Sequence, residues 1–179
     1  MRGFLCACSY YETGVDFMIT VAYNRQNAVS YAKQWALSRN PDYYNFDGIG
    51  GDCTNFVSQC LFAGSFVMNY TPTFGWFYID AGNRTASWTG VEFLYNFLVT
   101  NNSVGPFAIE TDRYNVTAGD IIQLGGVDGK FYHSLFVISN ISENIKVAAH
   151  TYDTFDTPLS EYEFYKARFL HIKGVRKWQ

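Results

Sequence analysis

An α+β fold is expected from two patterns along the chain. Apolar residues recur at helical three- and four-residue spacing only in roughly the first hundred positions, and short apolar runs broken by Gly and Asn turns fill most of the remaining chain. A third observation bounds the size. The 179 residues contain no internal repeat and no low-complexity linker, so one domain is expected, with 1–20 an irregular lead-in or short first strand and 21–179 the folded body. Hydrophobic residues make up 48% and charged residues 16%, enough apolar surface to exclude wholesale disorder. The formal net charge is −3, without a Lys/Arg cluster, which argues against a nucleic-acid partner. Near the C-terminus, Arg168, Lys173, Arg176 and Lys177 are spread out and read as a solvated edge. No apolar run reaches the roughly 20 residues that span a bilayer.

Local patterns place each element in turn. Ala28, Tyr31, Ala32, Trp35 and Ala36 mark one face of a first helix of about a dozen residues, stopped before Asn40-Pro41 because the residue preceding proline is pushed out of helical geometry. Gly48-Ile49-Gly50-Gly51-Asp52-Cys53 is a glycine-rich turn delivering the chain to a second helix, with Asp52 as its N-cap and Gly64 as the left-handed residue that closes it. Residues 65–92 are turn-rich and aromatic, and a third helix is expected at 91–98. Strands are expected at 120–124, 131–138, 145–150 and 169–172, with an acidic helix or loop at 159–165 before the last.

Four cysteines, Cys6, Cys8, Cys53 and Cys60, are too few and too unevenly placed for a disulfide scaffold. Cys53 is the informative one. It sits in the first turn of a helix, where the partial positive charge of the helix N-terminus favours thiolate and where the cysteine N–H faces a developing oxyanion. Cys60, two turns on amid Phe56, Val57 and Leu61, reads as a small buried hydrophobe. A thiolate nucleophile needs a proton acceptor, and His133 opens one strand while His150 ends the next. A hairpin through residues 139–144 brings those two ends together, so His150 can orient His133, with Asp153 as the rival orienter. A Cys53/His133/His150 zinc site lacks any CxxC or HExxH spacing, so no metal or other cofactor is expected. The glycine turn lacks the Lys-Ser/Thr of a phosphate loop.

Several blocks together resemble the bacterial putative amidase domain family, within the papain-like group of cell-wall cysteine peptidases and amidases that includes CHAP-type domains. They are Asn24-Arg25 through Trp35, Arg39-Asn40-Pro41, Gly50-Gly51-Asp52-Cys53-Thr54-Asn55-Phe56-Val57-Ser58-Gln59-Cys60 and Ser87-Trp88-Thr89-Gly90. Gly119-Asp120-Ile121-Ile122, Tyr132-His133-Ser134 and His150-Thr151-Tyr152-Asp153 come after them in the same order, so the resemblance runs from about residue 23 to about residue 158. It implies a papain-like layout, with Cys53 as nucleophile on a helix packed against an antiparallel sheet, His133 as general base and His150 in the third place. The implied reaction is hydrolysis of an amide in bacterial cell-wall peptide. Tyr43 or Tyr44 would supply a second oxyanion donor beside the Cys53 N–H. Trp76, Tyr78 and Trp88 wall a substrate groove or simply pack in the core; both readings stand. The expected partner is a peptide or peptidoglycan substrate met by a monomer outside the cytoplasm or at the wall, although the apolar stretch in Met1–Cys8 is too short for a clear export signal. The rivals are a non-catalytic cell-wall-binding module of the same fold, and a thiol-dependent transferase or deamidase.

Overall fold

The computed structural model describes residues 17–179. The lead-in expectation for 1–16, with Cys6 and Cys8, lies outside them. The chain is α+β, with strands β1 (Met18–Val21), β2 (Gly105–Thr111), β3 (Ile121–Gly125), β4 (Phe131–Ile141), β5 (Asn144–Ala149), β6 (Thr154–Pro158) and β7 (Lys166–Trp178) in one sheet. Helices α1 (Arg25–Trp35), α2 (Cys53–Ser65), the single turn α3 (Ala86–Thr89) and α4 (Val91–Thr100) lie between β1 and β2, and a 3-10 turn spans Leu159–Glu161. The strand order is β1-β7-β3-β4-β5-β6, all pairings antiparallel, with β2 also paired to β7. A boundary drawn after residue 20 falls inside β1, which pairs with the end of β7 from Met18↔Trp178 to Val21↔Val175.

Both faces of the sheet are buried, and the period of two along each strand divides its side chains between them. Ile121, Phe136, Ala148 and Leu170 join the helices in one core. Ile122, Leu124, Leu135, Val137, Val147 and Ala149 form a second core on the opposite face, closed by Val116, Leu159 and Tyr162. Helix α2 is the centre of the first core, with every residue from Cys53 to Leu61 buried. Its buried polar groups are bonded to their neighbours: Asn55 donates to Asp52 and accepts from the Trp88 indole, Ser58 accepts from the Trp76 indole, and Gln59 accepts from the Tyr31 hydroxyl. Small Ala28, Ala32 and Ala36 let α1 pack close to α2, and Asn24 caps α1 by accepting from the Asn27 N–H at 3.0 Å.

Three expectations are corrected here, and the open reading of Trp76 and Trp88 is decided for core packing. The left-handed cap of α2 is Phe66 (φ 53°), not Gly64. Gly64 is needed for a different reason, since a Cβ there would run into the Tyr23 ring and the Asn24 carbonyl. Asp52 makes no side-chain cap to α2, because its carboxylate is taken by other donors. Trp76 and Trp88 wall no groove. Both are fully buried, with ring centroids 4.8 Å apart, and Tyr43 and Tyr78 pack against Trp88. Finally, β7 runs 13 residues, and of the four basic residues expected at a solvated edge Lys173 and Lys177 are exposed, whereas the arginines are clamps. Arg168 donates to Gln123 at 2.7 Å and Arg176 to the Asn101 carbonyl at 2.6 Å, each also stacking its guanidinium on an aromatic ring.

Candidate active site

Gly50 and Gly51 both take positive φ (92° and 102°), so the turn they form brings the chain onto α2 in a conformation other residues adopt only with strain. A Cβ at Gly51 would also press on the Thr151 hydroxyl, which accepts the Asp52 N–H at 2.9 Å. That turn sets Cys53 at the first position of α2, 7% exposed, at the wall of a cleft of about 260 Å³. Leu124, Tyr132, His133, Tyr152, Tyr162 and Glu163 line the same cleft.

His133 is 8% exposed, and neither of its ring nitrogens has a hydrogen-bond partner among the described residues. Burial lowers its pKa from the ordinary 6.5 to about 4, so at neutral pH it is an uncharged imidazole able to accept a proton. Burial likewise pushes the Cys53 thiol up, and hydrogen bonding from the Ser134 backbone and from Thr54 offsets part of that. The resting pair is thus thiol and neutral imidazole. Along β4 the side chains alternate: Ser134 faces α2 and bonds the Thr54 hydroxyl at 3.0 Å. His133 belongs to the alternate set and reaches the cleft at the strand's end, between the rings of Tyr132 (6.4 Å) and Tyr162 (6.2 Å). Cys53 Sγ has a contact to Thr54 Oγ1 at 3.8 Å and no hydrogen bond to His133.

The orienting roles expected of His150 and Asp153 are corrected by their partners. His150 is fully buried, with Nδ1 at 2.6 Å from Asp52 Oδ2 and Nε2 at 2.9 Å from the Trp35 carbonyl, its ring stacked on Phe56. Both nitrogens are occupied, and none is left for His133. Asp153 pairs with Arg39, which also contacts Asp47 and lies 3.5 Å from Asp52. Asp52 accepts from the Phe46 N–H and from Asn55 as well, so it ties α2, the loop before it and the end of α1 into one buried junction away from the cleft. Neither Tyr43 nor Tyr44 lines the cleft. Tyr43 stacks on Trp88, and the Tyr44 N–H donates to the Tyr78 hydroxyl. Asp52 does not cap the first turn of α2, which leaves the Cys53 N–H as the candidate oxyanion donor.

Sequence reasoning missed Tyr132, Tyr152, Tyr162 and Glu163. Tyr132 and Tyr152 each stand within two residues of a flagged histidine, a signal that was present. Tyr162 and Glu163 reach the cleft through the return of 159–165 over the sheet, which no local pattern announces.

Fold and site define a class: an α+β domain in which a cysteine at a buried helix N-terminus shares an aromatic cleft with a neutral histidine. The chain belongs to the putative amidase domain family, whose model matches residues 22–173. It is 35% identical over 138 residues to the uncharacterized protein YhbB of Bacillus subtilis (strain 168), covering 74% of this chain and 42% of that protein. It is 26% identical over 146 residues to the uncharacterized protein YjcM of the same organism, covering 76% of this chain and 32% of that protein. The chain therefore spans less than half the length of these curated relatives. No solved structure matches it. Membership is of a family named for amide hydrolysis.

Proposed function

We propose that the chain is a cysteine-dependent amide hydrolase of papain-like layout, with Cys53 as nucleophile and His133 as general base, acting on peptide of the bacterial cell wall outside the cytoplasm. The observation that carries this reading is the sharing of one cleft by Cys53, at the N-terminus of α2, and His133, whose ring nitrogens have no other partner among the described residues. The cell-wall substrate and the location rest on the family resemblance.

The chemistry starts from the neutral resting pair. His133 takes the thiol proton as Cys53 Sγ attacks the amide carbonyl, and the C–S bond forms while the carbonyl oxygen becomes an oxyanion held by the Cys53 N–H. The protonated His133 then gives its proton to the leaving amine as the C–N bond breaks. Water, deprotonated by His133, attacks the thioester, and the proton returns to sulfur as the carboxylic acid departs. Such hydrogen bonds often close only when substrate is bound, which suits a His133 ring with no competing partner.

The test is the rate of Cys53 alkylation by iodoacetamide between pH 4 and 9, in the wild type and in His133→Ala, together with turnover of muropeptides. Cys60 is fully buried and serves as the internal control. The reading expects a pH profile that depends on His133 and a loss of turnover on the order of a thousandfold or more in Cys53→Ala, which should still fold. Alkylation indifferent to His133, together with muropeptide turnover that survives Cys53→Ala, would sink it.

A further inference from the structure

The cleft beside Cys53 carries charge of one sign. Its lining holds no lysine or arginine, and Glu163 is its one carboxylate among the described residues. Glu163 is exposed and makes no ion pair or side-chain hydrogen bond with a described residue. Three basic residues are engaged elsewhere: Lys166 lies 4.4 Å over the Phe131 ring, Arg39 is held by Asp47 and Asp153, and Arg168 by Gln123 and Glu92, while exposed Lys130 is not part of the cleft lining. Tyr132, Tyr152 and Tyr162 line the same cleft, and aromatic rings attract a cation through their quadrupoles.

The rim that carries Glu163 is also fixed in place. The Tyr132 hydroxyl donates to the Glu163 carbonyl at 3.1 Å, the Tyr162 hydroxyl bonds Thr154 Oγ1 at 2.7 Å, and the Tyr165 N–H donates to the Gly125 carbonyl at 3.0 Å. The two tyrosine rings flank His133, a side chain more than nine-tenths buried whose nitrogens have no partner among the described residues. An anchored aromatic wall, a carboxylate without an ion-pair partner among the described residues and an imidazole open to the cleft therefore line one space.

We infer that this cleft takes a substrate bearing a primary ammonium group close to the scissile amide, with Glu163 as its counter-charge and the tyrosines as its cage. The inference rests on Cys53 and His133 being the reacting pair, and it narrows the substrate to amine-bearing peptides. A carboxylate at the same place would face Glu163 and is disfavoured. Glu163 touches the substrate and not the reacting atoms, so its effect falls on KM more than on kcat.

The experiment compares two fluorogenic peptide amides that differ only in a free or an N-acetylated amine. Wild type should prefer the free amine by about tenfold in kcat/KM, mainly through KM, and Glu163→Gln should shrink that preference to below about threefold. Glu161→Gln, at an exposed carboxylate outside the cleft, should leave the preference as it was. A second arm uses Cys53→Ala and calorimetric binding of lysinamide against its fully N-acetylated form at low and high salt. Lysinamide binding that needs Glu163 and weakens with salt upholds the cation site even where no amide is turned over, an outcome that would count against the catalytic reading alone. Equal handling of the free and acetylated forms, or a preference untouched by Glu163→Gln, overturns the cation site while leaving the Cys53–His133 chemistry standing.

Discussion

His133 carries a linkage between the site and the stability of the fold. Its pKa is about 4 in the folded chain against 6.5 for an exposed histidine, because burial disfavours the imidazolium. Above pH 6.5 both folded and unfolded chains hold it neutral and it contributes no pH dependence. As the pH falls from 6.5 towards 4, the unfolded chain takes up the proton first, and stability drops by up to about 3 kcal/mol. Carboxylates add their own acid sensitivity, so the comparison is with His133→Leu. The urea midpoint of the variant should fall less than that of the wild type between pH 7 and pH 4.5; parallel curves would mean His133 is not held neutral. At this scale the places of Cys53 and His133 were readable from glycine turn, helix start and strand start. The role of His150 was not. Its place at the end of an apolar run is local, but the residue lies just beyond β5, and the buried Asp52 carboxylate offers its imidazole a stronger partner than a neutral histidine could.

Helix α2 and strand β4 are joined by a polar chain one residue away from each member of the proposed pair. Thr54, next to Cys53, bonds Ser134, next to His133, at 3.0 Å. Gln123 on β3 donates to the same Ser134 hydroxyl at 3.2 Å and accepts from Arg168 on β7 at 2.7 Å. Thr54, Ser134 and Gln123 are buried, so Ser134→Ala leaves the Thr54 hydroxyl with only its long contact to Cys53 Sγ and takes from Gln123 one of its two Nε2 bonds, the other running to the Val91 carbonyl. The expected cost is about 1–3 kcal/mol in a denaturant titration, with Ser134→Thr retaining part of it if the methyl group fits. A neutral Ser134→Ala would show that the chain is satisfied some other way. A second junction works alike at the far side of α1: buried Asp120 accepts from Arg25, His171 and the N–H groups of Thr117 and Ile172. α1 is thus moored near both ends by a buried aspartate, a histidine and an arginine. α1, α2, α4 and the β3–β5 meander were legible because their apolar periods are local, whereas the single turn α3 was not, lying in the stretch read as turn-rich. β2 and β6 were not, since Gly-Pro-Phe-Ala-Ile-Glu-Thr and Thr-Phe-Asp-Thr-Pro become strands through their partners. The reach of β7 was hidden by its basic residues, of which Arg168 and Arg176 find their partners only in three dimensions.

Across the whole molecule, the sheet is sealed on both faces, and α2 is bonded into β4, α1 and the turn-rich segment. Thr54 binds it to the sheet, Asn55 and Ser58 to the tryptophans of the turn-rich segment, and Gln59 to α1. These bonds cross the boundaries at which the helical layer could separate from the strands, and all but the Tyr31–Gln59 bond are deeply buried. Partial opening would therefore expose unsatisfied polar groups together with the Trp76–Trp88 stack, which makes intermediates costly. Urea unfolding tracked by tryptophan fluorescence, dominated by the environments of buried Trp76 and Trp88, should coincide with unfolding tracked by far-UV circular dichroism. Reactivity of Cys60, inert in the folded chain, should appear in the same transition. Two separated transitions, with fluorescence changing before the sheet signal, would mean that the helical layer melts on its own. The cleft would then sit at the seam between two units, with Cys53 on one and His133 on the other.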